Sequence, residues 1–212
     1  PVIIDTTEEN NFKISPEQLE NKINNKTKAV VLNSPSNPTG SAYSKEEIEA
    51  LAKILENKDL VIISDDIYES IIYDNFKFSN IANVSQKLKE KTIVLNGVSK
   101  TYSMTGWRIG YMAGDEDIIK KVETLQSQST SNPTSISQWA SIAAITGDQS
   151  VIQDMLEAFK RRREIIVNGL NDIQGLTCLN PNGAFYAFPG IKEIYSFNTT
   201  FTIRGNRRLP LS

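Results

Sequence analysis

Short apolar runs and amphipathic stretches take turns along the chain. Val2-Ile-Ile4, Ala29-Val-Val-Leu32, Leu60-Val-Ile-Ile63 and Thr92-Ile-Val-Leu95 are continuous apolar runs of strand length. Between them lie helical patterns. Ser15-Pro-Glu-Gln18 places a cap serine before a proline at the first helical position, and Leu19 and Ile23 give that helix an inner face. Ser44-Lys-Glu-Glu47 is a capping box, followed by Ile48, Leu51, Ala52 and Leu55 on one helical face. A short helix is expected near Gln86. A further strand begins near Trp107 and ends at Gly114. Ile118, Ile119, Val122 and Leu125 mark the next helix, and Pro133 opens another that Gly147 closes. Residues 149–172 form one long helix with Ile152, Met155, Leu156 and Phe159 inward, and Gly183-Ala-Phe-Tyr-Ala-Phe188 follows as a strand.

This alternation predicts an α/β fold: a mostly parallel sheet with helices on both faces. One connection departs from it. Between Asn96 and Trp107 there is too little chain for a parallel crossover, which takes about a dozen residues or more, so the 108–114 strand must run antiparallel. Ligands of such sheets sit beyond the C-terminal ends of the strands.

Composition removes several function classes. The 212 residues carry a net charge of -2, which gives no electrostatic reason for nucleic acid or an anionic membrane as partner. The one basic run, Lys160-Arg-Arg-Arg163, reads as a solvated helix face. No histidine is present, so Ser-His-Asp and Cys-His catalysis are excluded and no metal site is expected. Cys178 is the only cysteine; it cannot form an internal disulfide and is expected to be a packed core thiol. No apolar run reaches the roughly 20 residues of a bilayer span, and no signal peptide is visible; a cytoplasmic setting is expected. The chain opens on Pro1 rather than methionine, which suggests an internal piece of a longer protein.

The residue with the most chemical promise is Lys100, just past the Thr92–Leu95 run and the turn pair Asn96-Gly97. Burial disfavours the charged form of an amine, and a neutral amine can attack a carbonyl to form a Schiff base. By spacing alone a surface lysine in a polar loop is the favoured reading of Lys100. Its surroundings decide the matter. Ser99-Lys100 followed by Met104-Thr-Gly-Trp-Arg-Ile-Gly-Tyr111 resembles the lysine signature of the class I/II aminotransferases of fold type I. Asn33-Ser-Pro-Ser-Asn-Pro-Thr-Gly40 and Ser64-Asp-Asp-Ile-Tyr68 resemble two further segments of that family, in the same order. With Ser127-Gln-Ser-Thr-Ser-Asn-Pro133 downstream, the wording is most similar to bacterial aspartate aminotransferases.

The resemblance implies pyridoxal 5'-phosphate as cofactor, with the protein supplying attachment and tuning. It implies that Lys100 is the anchor and the general base, and that Asp65 pairs with the ring nitrogen. It implies that Asn37 and Tyr68 hydrogen-bond the phenolic oxygen, Asn37 also facing substrate, and that Arg108 and Ser99 hold the phosphate. Many relatives carry a serine three residues before the lysine, where this chain has Gly97; glutamate is commoner where it has Asp66. Trp107 and Tyr111 are read as core residues.

The family also implies the layout: residues 1–148 as part of the large cofactor-binding domain, 149–172 as a linking helix, and 173–190 as the start of a small α+β domain. Residues 191–212 resemble nothing in the family, and Arg204 does not match its carboxylate-binding arginine. The family's N-terminal phosphate loop and stacking aromatic have no recognisable counterpart in this sequence. The function implied for the full-length parent is transamination between aspartate and 2-oxoglutarate, by a homodimer acting on a small amino acid and a 2-oxo acid. The alternatives are a relative acting on alanine or aromatic amino acids, or a non-catalytic piece of a broken gene.

Overall fold

In the computed structural model, which describes residues 1–194, the chain first forms helix α1 (Pro16–Lys22). Ser15 caps it: its side chain accepts from the Gln18 N–H while the Gln18 side chain reaches back to Ser15. Strand β1 (Ala29–Asn33), helix α2 (Lys45–Leu55) and strand β2 (Val61–Asp65) then make one parallel crossover. Helix α3 (Gln86–Lys91) leads to strand β3 (Thr92–Gly97), parallel to β2. The Lys91 ammonium donates to the carbonyls of Leu55, Glu56 and Lys58, closing the C-terminal end of α2.

A one-turn helix α4 (Val98–Thr101) carries Lys100, and strand β4 (Gly110–Ala113) returns antiparallel to β3, as the short connection required. The sheet order is β1-β2-β3-β4. β3 continues through Asn96 and Gly97, where the sequence suggested a turn. Helices α5 (Glu116–Ser129), α6 (Ser135–Thr146) and α7 (Ser150–Asn171) follow. The result is the mixed, mostly parallel sheet surrounded by helices that the pattern implied.

The main core lies on one face of the sheet. Leu19 of α1, the four apolar positions of α2, and Leu88 of α3 close over Leu32 and Ile62. Side chains alternate across a strand, so Val31 points the other way, and it is 66% exposed. A second cluster joins Tyr68, Ile71 and Tyr73 to Ala184, with Leu156 and Phe159 of α7 against it. Cys178 is buried, as expected, and burial pushes its thiol pKa up.

Several expectations fail, each for a physical reason. Val2-Ile-Ile4 is not a strand: Val2 and Ile3 are exposed, with no described strand pairing them. Gly183–Phe188 is not a strand either, and meets its neighbours through a single bridge between Ile72 and Gly183. Ala184 has φ 57° and donates its N–H to the Ile71 carbonyl, while Gly183 donates to Gly40. Gly183 is required there, because a Cβ would lie 2.6 Å from the Ile71 oxygen.

Trp107 and Tyr111 are 42% and 47% exposed, not core. Helix α5 buries none of its apolar positions, and Ile136 and Trp139 of α6 also face outward. The basic run is not wholly solvated: Arg163 turns inward, donates to the Pro181 carbonyl (3.0 Å), pairs with Asp74, and lies over the Tyr73 ring. Arg204 lies outside the described residues, as does most of the 191–212 stretch.

Candidate active site

Strands β2 and β3 are parallel neighbours, so the residues after them emerge at the same edge of the sheet. Asp65 ends β2, and Lys100 sits one short turn beyond the end of β3. β1 ends beside them at Asn33. Three chain segments far apart in sequence therefore converge at one sheet edge.

Hydrogen bonds tie these ends together. Asn33 Nδ2 donates to the Asp65 carbonyl (3.1 Å), and Asn33 Oδ1 accepts from the Asn37 N–H (2.8 Å). One asparagine thus sets the Asn37 loop against the Asp65 turn. The loop contains two cis peptide bonds, before Pro35 and before Pro38. Asn37 itself is exposed and presents its side chain to solvent at this edge. Asp65 Oδ1 accepts from the Ile67 N–H (3.3 Å).

Tyr68 is buried, and its ring lies 5.6 Å from the Lys100 amine. Burial first, then the Tyr186 hydroxyl and the Asp65 charge, raise the Tyr68 pKa far above that of an ordinary phenol, so it stays protonated. Lys100 is half-buried; its amine also lies 5.5 Å from the Phe185 ring. Among the described residues neither Lys100 nor Asp65 has an ion-pair partner.

Asn37, Asp65, Tyr68 and Lys100 are thus gathered at one edge. Ser99 lies beside Lys100, half-buried, and makes no hydrogen bond to the other four. Arg108 is exposed in the left-handed region (φ 55°) and donates to the Thr105 carbonyl of its own turn (3.0 Å). It touches none of the other site residues in this structure.

Sequence reasoning missed Phe185 and Tyr186. Phe185 packs edge-on against Tyr68 and stacks on Phe159 of α7; the Tyr186 hydroxyl shares a hydrogen bond with that of Tyr68. Reading 183–188 as a strand of another domain hid them; the aromatic pair after a glycine was the available signal. A neighbouring cavity of about 240 Å³ is lined by residues 184–187, by residues of α7 and by Tyr73 and Pro181. Among the described residues no helix is long and apolar enough to cross a membrane.

Comparison with known proteins gives the same picture. Residues 1–200 match the model of the family described as aminotransferase class I and II, ten residues past the point where the motifs fade. An aspartate aminotransferase of Bacillus subtilis (strain 168) is 54% identical over 193 residues, covering 91% of this chain and 49% of that protein. An aspartate/prephenate aminotransferase of Nitrosomonas europaea is 51% identical over 207 residues, covering 97% of this chain and 52% of that one. The crystal structure of an aspartate aminotransferase from Rhizobium meliloti superposes with a TM-score of 0.89 at 46% identity, over 92% of this chain and 49% of that one. The chain spans about half the length of the curated relatives it matches.

Proposed function

Since the chain belongs to the class I and II aminotransferases, we propose that its full-length parent moves the amino group of aspartate to 2-oxoglutarate, using pyridoxal 5'-phosphate. One observation carries this reading: an amine, Lys100, and a carboxylate, Asp65, stand at one sheet edge, and among the described residues neither is neutralised by an ion-pair partner. Such a pair fits a cofactor that offers an aldehyde to an amine and a basic ring nitrogen to an acid. When bound, pyridoxal phosphate supplies that aldehyde and a ring that accepts the electron pair left behind as the substrate α-proton departs.

The chain's own residues would do the rest. Lys100 Nζ would take the proton from the substrate α-carbon and deliver it to the cofactor's former aldehyde carbon, a 1,3-transfer across the nitrogen that links them. The Asp65 carboxylate holds a proton on the ring nitrogen, because an opposite charge within reach favours the charged form. Asn37 and the protonated Tyr68 donate to the phenolic oxygen, and Asn37 also borders the substrate. Arg108 and Ser99 would bind the phosphate; the guanidinium has donors to spare beyond the one it gives the Thr105 carbonyl.

The Nitrosomonas europaea relative, named for both aspartate and prephenate, favours a second reading in which the acceptor is a larger 2-oxo acid. We further propose the layout of a large domain over 1–148, a linking helix over 149–172 and the start of a small domain over 173–190, in a cytoplasmic homodimer. The 212-residue chain alone is expected to bind cofactor weakly and not to transaminate.

The test uses the full-length parent. Its visible cofactor band should bleach with aspartate and return with 2-oxoglutarate, and borohydride should fix the cofactor to the peptide containing Lys100. Labelling at another lysine would overturn the assignment. Rates with 2-oxoglutarate and prephenate decide between the two acceptors.

A further inference from the structure

Asp66 is 2% exposed, and the proposed chemistry gives it no task. Its surroundings are built for a carboxylate. Side chains alternate along a strand, so Asp66 points to the same side as Ser64 and Ile62, beneath the sheet, while Asp65 points to the other. There Ser64 Oγ donates to Asp66 Oδ1 (2.8 Å) and Asn80 Nδ2 donates to Asp66 Oδ2. The Asn80 side chain is itself fixed, its Oδ1 accepting from the Ala82 N–H (2.6 Å). The Asp66 backbone N–H donates to the Leu95 carbonyl of β3 (2.9 Å). Asp66 therefore pins the end of β2 from the core side and to the strand that leads to Lys100.

Asp65 has little of its own to hold it. Its carboxylate meets one backbone N–H, at 3.3 Å, and its carbonyl accepts from Asn33 and from the Ser34 N–H. Its direction is set by the frame that carries it.

We propose that Asp66, clamped by Ser64 and Asn80, is a positioning residue that fixes the direction in which Asp65 presents its carboxylate at the sheet edge. The inference rests on reading Asp65 as the partner of the cofactor ring nitrogen. A carboxylate that must face one ring atom is sensitive to a small rotation of its strand end, because hydrogen bonds weaken steeply with angle. Residues that act through one shared group also give non-additive losses.

The experiment titrates pyridoxal phosphate into the full-length parent without substrate, following the visible band, and records thermal unfolding alongside. Asp66→Asn should weaken cofactor binding about tenfold, the scale of one lost buried hydrogen-bond partner. In an Asp65→Asn background the same change should cost nothing further. Ser64→Ala, which removes a single donor, should weaken binding about threefold with the same non-additivity, and serves if Asp66→Asn does not fold. Unchanged cofactor affinity in the folded variants, or losses that multiply with those of Asp65→Asn, would overturn the proposal and assign Asp66 to folding alone. A parent that takes up no cofactor at all would instead refute the functional reading on which the proposal stands.

Discussion

The hydroxyls of Tyr68 and Tyr186 share one hydrogen bond across 118 residues of sequence. It joins the segment after β2 to the segment after α7, and the Lys100 amine lies 5.6 Å from the Tyr68 ring. Either hydroxyl can donate in this bond, and burial together with the Tyr186 contact raises the Tyr68 pKa, so Tyr68 keeps its proton. A residue outside the three recognisable motifs thus helps decide which way a motif hydroxyl points.

Removing that partner is a direct test. Tyr186→Phe should cost the chain about 1 kcal/mol of stability, as should Tyr68→Phe. The double variant should lose little more than either single one, because each change breaks the same bond. Urea unfolding of the three variants measures it.

Lys100 should matter to chemistry and little to folding. Its amine lies over the faces of Tyr68 and Phe185, each contact worth about 0.5–1 kcal/mol when partly exposed. Lys100→Ala should cost the fold no more than about 1–2 kcal/mol, the two ring contacts together. In the parent it should lower turnover by about 10²-fold or more while cofactor binding partly survives. Steady-state rates and cofactor titration separate the two effects.

Asp66 should leave a signature in the pH dependence of stability. Burial raises its carboxyl pKa from 3.8 to about 6; the Asp65 and Glu69 charges push the same way, and the bonds from Ser64 and Asn80 oppose them. Between those values the folded chain holds a proton that the unfolded chain has lost. Its stabilising contribution is therefore full below the unfolded pKa and disappears as pH rises to about 6 and beyond. The step is at most about 3 kcal/mol. Unfolding free energies measured from acid to neutral pH should show it, and Asp66→Asn should flatten it.

Two adjacent arginines should behave differently. Arg163 is 8% exposed and bonded to Asp74 and to the Pro181 carbonyl, whereas Arg162 is open to water. Arg163→Ala should cost about 2–3 kcal/mol, the scale of charged hydrogen bonds lost together with packing. Arg162→Ala should stay within about 0.5 kcal/mol. Denaturation midpoints of the two variants provide the comparison.

What could be read in the sequence was local. The capping boxes at Ser15 and Ser44 and the spacing of Ile48, Leu51, Ala52 and Leu55 describe short-range geometry, and α1 and α2 follow them. The direction of β4 followed from chain length alone. The motif residues Asn37, Asp65, Tyr68 and Lys100 were recognisable because each is embedded in a distinctive string. Burial was harder to read, since apolar identity does not say what covers a side chain: Trp107, Tyr111 and the outer face of α6 are open despite their composition. Asp66 and Arg163 carry charge, yet partners at Asn80 and Pro181 draw them inside. No local pattern connects Tyr186 to Tyr68, because that contact depends on where α7 returns the chain.

In the sheet order β1-β2-β3-β4 each strand pairs with the next along the chain. The aromatic floor beneath Lys100 must wait for residues 185 and 186, which arrive after the whole of α7. Exchange of backbone amides with heavy water should therefore release the 183–188 segment through local openings while β1, β2 and β3 remain protected. Such openings would uncover the Lys100 amine while the sheet that carries it stays intact.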